Sequence, residues 1–241
     1  MSGDLDVLVR SLERHDCVSE AERKALHSLL YRKKVYRRGE SILHAGMRPN
    51  EVHLLTSGMA IRYGTVTGKR QITAFQIPGS LLDLHTMLLK EVDQDVDAQT
   101  DCVAVLIPHA AVKQLLAREP HLSRLLYLLV VVGEATEREW IKGLRRRSSL
   151  ANLAHLLCEM YVRLRSMSLA GDHRFSFPVT QEDVADALGI STVHANRTIQ
   201  DLRRTGLVDW PDHVVHILDD AGLAELGEFD PGYLSLSREP R

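Results

Sequence analysis

The first part of the chain changes from a helical to a strand-like hydrophobic pattern. Residues 4–31 place leucines such as Leu5, Leu8 and Leu12 at helical spacing between charged positions. Between residues 34 and 108, short runs rich in Val, Ile, Thr and Tyr are separated by turn glycines. Many short strands divided in this way predict a β-sandwich, barrel or roll. The Thr67–Gly68–Lys69 segment between two such runs predicts a hairpin. The turn glycines are Gly39, Gly46, Gly58, Gly68 and Gly79.

The helical period returns after Pro108. A short helix runs to Pro120, and a helix of about 25 residues is predicted beyond it. The second helix carries a seam at spacings of three and four that a further helix can pack against. A second copy of the chain is the natural occupant, and a helix buried wholly within its own chain is the alternative. The run RRRSS at 145–149 predicts a hinge before an amphipathic helix. The seam consists of Leu122, Leu125, Leu129, Val132 and Thr136.

Composition and charge place the chain among ordinary water-soluble proteins. It is 44% hydrophobic and 26% charged, with a formal net charge of −2, so any surface that binds nucleic acid must gather positive charge locally. No apolar run approaches the length of about 18 residues that a membrane span requires. The N-terminus has no signal-peptide layout. We expect a cytoplasmic protein without a membrane partner.

Cysteines and histidines give little support for a metal or disulfide site. Cys17, Cys102 and Cys158 are far apart and form no C-x-x-C, which argues against a disulfide framework and against a zinc site built on cysteine pairs. The 12 histidines are scattered, without an H-E-x-x-H motif. A redox role for the three cysteines stays open, although no neighbouring base or second thiol supports it.

The segment 180–206 predicts two helices joined by a sharp turn. Thr180 and Asp183 form a T-x-x-D start, Gly189 supplies the turn, and Ser191 is a good N-cap for the second helix. The run LVDWPDHVVHIL then predicts two short strands around Pro211. This order is typical of a winged helix-turn-helix that binds double-stranded DNA.

The outer face of the second helix carries the chemistry that reads DNA. An outward Arg can contact O6 and N7 of guanine together, Asn or Gln can contact adenine, and the helix N-terminus can donate to phosphate. Acidic residues outnumber basic ones after residue 148, so we expect modest phosphate neutralisation. The inner face is Ala195, Ile199 and Leu202. The candidate DNA-binding residues are Ser191, Thr192, Val193, Asn196, Arg197 and Gln200, with Arg203 or Arg204 beside them.

From about residue 20 to 220 the chain resembles the Crp/Fnr family of bacterial transcription regulators. The matching text is HAGMRPNEVHLLTSGMAIRYGTVTGKRQITAFQIPGSLLDL and VTQEDVADALGISTVHANRTIQDLRRTGLV. The resemblance implies an α+β fold with an N-terminal β-roll of the cyclic-nucleotide-binding-like double-stranded β-helix type, a long dimerisation helix and a C-terminal winged helix-turn-helix. The predicted boundaries are 1–119 for the helices and effector roll, 120–147 for the dimerisation helix and hinge, 148–228 for the DNA-binding domain, and 229–241 for a loosely held tail.

The same resemblance implies a homodimer on a palindromic operator, with an effector in the roll acting through the hinge near Ser148. RNA polymerase is the expected partner if the protein is an activator. On the recognition helix the family usually carries a serine, a glutamate and an arginine; Ser191 and Arg197 match, and Val193 stands where the glutamate would be. Val193 could instead touch a thymine methyl group, so the half-site should differ.

The predicted effector site departs further from the family. The run LLDLHTMLLKEVDQDVDAQ lacks the arginine that holds a cyclic phosphate, so cAMP and cGMP are disfavoured. An iron–sulfur cluster is disfavoured because only Cys17 lies in the N-terminal region. Haem ligation through His85 or His44 stays open, and the effector is unidentified. The acidic residues of this run are Glu91, Asp93, Asp95 and Asp97.

Two other classes of protein stay as alternatives to a non-enzymatic DNA-binding regulator. A cupin-like metal enzyme would need a triad of His and Glu inside the roll, and His44 and His53 lack the H-x-H spacing that would put two ligands on one strand face. A sensor module whose wing binds protein would lack a basic recognition face, which Arg197 and Gln200 argue against.

Overall fold

The computed structural model describes residues 3–240. The chain packs into two compact units. The first contains residues 3–64, 74–134 and 236–240, and the second contains Thr65–Thr73 and Ala135–Ser235. The tip of one hairpin, Thr65–Thr73, therefore belongs to the second unit, and the long helix is divided between the units after Glu134. The boundaries predicted from the sequence placed the hairpin in the first domain and the long helix in a segment of its own.

The first unit contains the β-roll. Two antiparallel sheets, of order β1-β7-β3 and β2-β6-β4-β5, enclose its core. Leu54 on β3 pairs in register with Val105 on β7, and both are fully buried. The helices of this unit are α1 (Asp6–Glu13), α2 (Glu20–His27), α3 (Thr86–Leu89), α4 (His109–Arg118) and the start of α5 (Pro120–Arg146). The strands are β1 (Arg32–Tyr36), β2 (Ser41–Leu43), β3 (Glu51–Ser57), β4 (Ala60–Val66), β5 (Lys69–Gln76), β6 (Asp95–Ala98) and β7 (Cys102–Pro108).

Side chains fill the interior of the roll. Large apolar residues from both sheets and from the loop before α3 form one cluster, and most of them are almost wholly buried. Such packing follows from the alternation of inward apolar and outward polar residues along each strand. The cluster includes Tyr36, Leu43, Leu55, Leu82, Val96, Cys102 and Leu106.

The predicted hairpin is present. Strands β4 and β5 are joined by Thr67 and Gly68 alone, and both residues have positive φ, 51° and 75°. Two consecutive residues with positive φ make the type I′ turn that matches the twist of paired strands.

The second unit contains the winged helix-turn-helix. Helix α5 ends at Arg146, and Ser148 caps α6 by accepting a hydrogen bond from the backbone N–H of Ala151, so the helix break lies within the predicted 145–149 segment. The remaining elements are α6 (Ser149–Ser166), β8 (Arg174–Ser176), α7 (Gln181–Leu188), α8 (Thr192–Arg204), β9 (Val208–Asp209), β10 (Val214–Ile217) and α9 (Asp220–Leu226). The wing is a three-stranded sheet of order β8-β10-β9.

The predicted loosely held tail is wrong for its first part. Pro231–Leu234 form a 3-10 helix capped by Asp230, and Leu234 is buried. The Tyr233 hydroxyl donates to Glu159 on α6 at 2.8 Å. The backbone approaches α6 closely at Gly227, where a Cβ atom would lie 2.6 Å from the backbone nitrogen of His155. The sequence pattern failed here because these anchors lie more than 70 residues away along the chain.

Within residues 3–240, no helix combines the length and the apolar content needed to cross a membrane.

Candidate nucleic-acid interface

Two helix caps and one glycine build the helix-turn-helix as predicted. The Thr180 hydroxyl accepts the backbone N–H of Asp183 at 3.1 Å, and the Asp183 carboxylate accepts the backbone N–H of Thr180 at 2.8 Å. This reciprocal capping box starts α7. Gly189 ends the helix with φ 65°, a left-handed conformation that favours glycine. The Ser191 hydroxyl then accepts the backbone N–H of His194 at 3.2 Å and starts α8.

The inner face of α8 is apolar and buried. Ala195 and Leu202 are 0% and 1% exposed, Thr198 is buried, and Ile199 is half-buried. At 100° per residue these positions form one stripe. The opposite side of the helix is therefore centred on Val193, Arg197, Gln200 and Arg204, all of which are exposed.

Arg197 is the cation on α8 that is available to a ligand. Within residues 3–240 its side chain makes no hydrogen bond or ion pair, whereas Arg203 pairs with Asp209 at 3.2 Å and Arg204 pairs with Asp201 at 2.7 Å. Surface pairs of this kind are weak and can open. In the free protein they nevertheless reduce the positive charge of the helix.

The other candidate DNA-binding residues fall into two groups. Val193 is 65% exposed and Gln200 is exposed, so both present their side chains on the outer face. Thr192 is exposed beside them at the helix start. Asn196 lies at the edge instead, because its amide donates to the side-chain oxygen of Gln181 on α7 at 2.8 Å. Asn196, which the sequence placed on the outer face, is therefore half-buried and engaged by α7 in the single chain.

The wing follows α8 directly. Asp212 and His213, with φ of 47° and 63°, turn the chain between β9 and β10. Behind the turn, the Trp210 ring stacks on Phe177 with 5.6 Å between centroids. This aromatic stacking packs the connection between β9 and β10 against the residue that follows β8.

The predicted helix seam on α5 is only partly available to a partner. Leu122 and Leu125 are 0% and 1% exposed and belong to the core of their own unit, so the structure corrects their assignment to a seam between copies. Leu129, Val132 and Thr136 are half-buried. All five apolar side chains from 128 to 132 keep some exposure, although they point in every direction around the helix.

The predicted effector run is surrounded by internal partners. Glu91 pairs with Arg48, Asp93 lies 3.2 Å from His85, Asp95 accepts from the backbone N–H of Ala45, and Asp97 accepts from Tyr63. All four carboxylates therefore have polar neighbours.

One cation near this run was missed by sequence reasoning. Arg62 on β4 donates to the carbonyl of Leu82 at 2.7 Å. No local signal could have indicated it, since 20 residues separate the two. Burial lowers the pKa of His85, and the charge of Arg62 lowers it further, although Asp93 opposes the shift.

The histidines considered as metal ligands are in different environments. His53 is buried, and its Nδ1 lies 2.8 Å from the wholly buried Asp83. The His44 side chain is 67% exposed beside Asp95. Across residues 3–240, no three His, Cys, Asp or Glu side chains are grouped so that they could hold a metal ion.

Comparisons with known proteins agree with this architecture. Residues 151–226 match the Crp-like helix-turn-helix domain, and residues 33–119 match the cyclic nucleotide-binding domain. The transcriptional activator protein FnrL of Cereibacter sphaeroides is 25% identical over 217 residues, which is 86% of each chain. An anaerobic regulatory protein of Pasteurella multocida is 23% identical over 87% of this chain and 77% of its own.

Solved structures show the same fold. FixK2 from Bradyrhizobium japonicum superposes with a TM-score of 0.74 at 20% identity, covering 82% of this chain and 98% of FixK2. A CooA mutant from Carboxydothermus hydrogenoformans gives a TM-score of 0.67 at 16% identity, covering 91% of this chain and 95% of that one. The order of β-roll, long helix and winged helix-turn-helix, together with the two domain matches, shows that the chain belongs to the Crp/Fnr family of bacterial transcription regulators.

Proposed function

We propose that the protein is a sequence-specific transcription regulator that binds a palindromic DNA operator as a homodimer through α8. The observation that carries this proposal is the exposed stripe of α8, in which the Arg197 side chain makes no hydrogen bond or ion pair within residues 3–240 and Val193 is 65% exposed. A free guanidinium on the outer face of a recognition helix can contact O6 and N7 of guanine together. Val193 offers a methyl surface suited to thymine, and Gln200 offers an amide suited to adenine.

The apolar surface of α5 supports the homodimer. Leu129, Val132 and Thr136 repeat at spacings of three and four and remain half-buried in the single chain. The same segment of a second copy has the complementary spacing, as in a coiled coil. A twofold pair would present two α8 helices to successive major grooves on one side of the DNA, about one helical turn apart.

The roll is the proposed effector domain, and its packing bears on which ligands it could hold. The interior is filled by the cluster around Leu43, Leu55 and Leu82, and the four acidic residues of the predicted run have polar neighbours. The filled interior disfavours a cyclic nucleotide. Because the relative FnrL is a transcriptional activator by name, RNA polymerase is the expected partner if this chain activates transcription.

The test is selection from a pool of random DNA duplexes with the purified protein and no added ligand. We expect enrichment of a palindrome whose half-site centres are about 10 bp apart. Failure to enrich any sequence would contradict a ligand-independent DNA-binding function.

Protein variants assayed on the selected operator test whether Arg197 contacts a base. Arg197→Ala should weaken binding by about 1–3 kcal/mol and relax the preference at one base pair. Arg165→Ala is the matched control, because Arg165 is an exposed arginine of the same unit that lies on α6. It should lower affinity less, and equally for all sequences. If Arg197→Ala also lowers affinity equally for all sequences, Arg197 contacts only phosphate.

A further inference from the structure

The tip of the β4–β5 hairpin contacts the first helix of the helix-turn-helix. Residues Thr65–Thr73 belong to the same compact unit as α7. From this tip, the Arg70 guanidinium reaches two carboxylates of α7 at once. Its Nη2 lies 2.6 Å from Asp183 Oδ1, and its Nε lies 2.7 Å from Asp186 Oδ2. The arginine fork thus bridges two turns of α7.

Arg70 donates a hydrogen bond to Asp183, the carboxylate of the capping box that starts α7. One oxygen of Asp183 is already used by the capping box with Thr180, and Arg70 takes the other oxygen. The Asp183 side chain is only 5% exposed. Burial works to raise the pKa of Asp183, but the Thr180 hydrogen bonds and the Arg70 charge outweigh burial and hold that pKa below its usual value.

The neighbouring hairpin residue holds the other end of the same helix. The Gln71 amide donates to the backbone carbonyl of Asp186 at 2.6 Å. This carbonyl is among the last four of α7, which have no partner within the helix. Two adjacent hairpin residues therefore hold the start and the end of α7.

This contact bears on DNA binding in two ways. Helix α7 packs against α8, so movement of α7 would displace the outer face of α8, which carries the candidate DNA-binding residues. Asp183 and Asp186 also place two negative charges on the helix-turn-helix, which would repel the phosphates of bound DNA, and Arg70 offsets them. We propose that Arg70 is a positioning residue for DNA binding, which holds α7 and offsets its carboxylates from the hairpin tip. The proposal rests on the DNA-binding function proposed above.

The test compares Arg70→Ala with Lys69→Ala on the selected operator. Lys69 is an exposed cation at the preceding position, and its side chain makes no hydrogen bond or ion pair within residues 3–240. Both variants lose one positive charge, so their difference reports the contact with α7. We expect Arg70→Ala to bind DNA about tenfold more weakly than Lys69→Ala, equivalent to about 1.4 kcal/mol.

A second substitution separates positioning from a general loss of structure. Asp186→Asn in the Arg70→Ala background removes one uncompensated carboxylate and should recover part of the lost affinity. The same substitution in the wild-type background should not increase affinity. Equal affinities of Arg70→Ala and Lys69→Ala for the operator would overturn the proposal. Tighter DNA binding by Arg70→Ala would also overturn it, because it would show that the hairpin contact restrains the helix-turn-helix.

Amide hydrogen exchange tests the contact without DNA. Arg70→Ala should speed exchange in α7, whereas Lys69→Ala should leave it unchanged. Unchanged α7 exchange in Arg70→Ala would overturn the proposal even if the protein binds DNA. The two proposals can fail separately. If neither the wild-type protein nor Lys69→Ala binds DNA, the proposed DNA-binding function is wrong. Faster α7 exchange in Arg70→Ala would still show that the hairpin contact stabilises α7.

Discussion

The hydroxyl of Tyr233 anchors the C-terminal segment to the buried carboxylate of Glu159. Glu159 is 0% exposed and accepts three donors. Tyr233 and the indole N–H of Trp140 donate to one oxygen at 2.8 and 2.9 Å, and Arg163 donates to the other at 3.0 Å. The three donors come from the long helix, from α6 and from the 3-10 helix, so Glu159 ties these elements together. Tyr233→Phe removes one donor and keeps the ring, which stacks near His155 with 6.0 Å between centroids.

The size of the effect follows from the charge and burial of the acceptor. A hydrogen bond to a charged group contributes about 1.5–3 kcal/mol to stability. Because Trp140 and Arg163 still satisfy part of the Glu159 carboxylate, we expect Tyr233→Phe to destabilise the second unit by about 2 kcal/mol. With an m value of about 2 kcal/mol/M, the urea midpoint should fall by roughly 1 M.

Tryptophan fluorescence measures this unit selectively. The chain has two tryptophans, and both Trp140 and Trp210 lie in the second unit. Tyr161→Phe is the matched control, because Tyr161 is a buried ring of α6 whose hydroxyl makes no hydrogen bond within residues 3–240. It should cost less than about 0.5 kcal/mol. Equal urea midpoints for the two variants would refute the anchoring role of Tyr233.

Two further predictions concern the long helix. Leu129→Glu should convert the proposed homodimer to a monomer in sedimentation analysis. The control Leu88→Glu changes a residue of α3 that is 84% exposed and should leave the mass unchanged. A dimeric Leu129→Glu variant would exclude this seam. At the start of the helix, burial opposes protonation of His121, but its hydrogen bonds to Glu22 and Asp16 outweigh burial and raise its pKa. A raised histidine pKa stabilises the fold below the unfolded value of about 6.5, and this contribution is lost as pH rises through the folded pKa. Calorimetry should therefore show that His121→Gln costs more stability at pH 6 than at pH 8, and an equal cost at both would contradict the pairing.

The sequence predicted best those features that depend on neighbouring residues. The Thr180 capping box, the Gly189 turn and the Ser191 cap each connect residues within three positions, and the structure confirms all three. The same holds for the two-residue hairpin turn at Thr67 and Gly68. In each case the local backbone geometry admits few residue types, so the residues reveal the turn.

The features that sequence reasoning missed depend on contacts between distant residues. Tyr233 reaches Glu159 across 74 positions, and Arg70 reaches Asp183 across 113. Leu122 and Leu125 have the spacing of a helix seam, but a single-chain core and a dimer interface demand the same apolar pattern. Only the tertiary structure separates the two, and it assigns both leucines to the core of their own unit.

Arg62 changes the physical reason for disfavouring an anion in the roll. Read alone, the run after Leu81 has carboxylates and no arginine, which suggests repulsion of a phosphate. In the structure, Arg62 of β4 donates to the Leu82 carbonyl at 2.7 Å. The carboxylates of the run have polar neighbours within the roll. An anion would therefore meet a cation that is already engaged, beside a Leu82 side chain that is fully buried in the core. An anion that drew Arg62 away from the Leu82 carbonyl would leave that carbonyl unpaired, at a cost of about 1–3 kcal/mol if the carbonyl stays buried. We therefore expect the internal packing of the roll, more than its net charge, to disfavour a cyclic nucleotide.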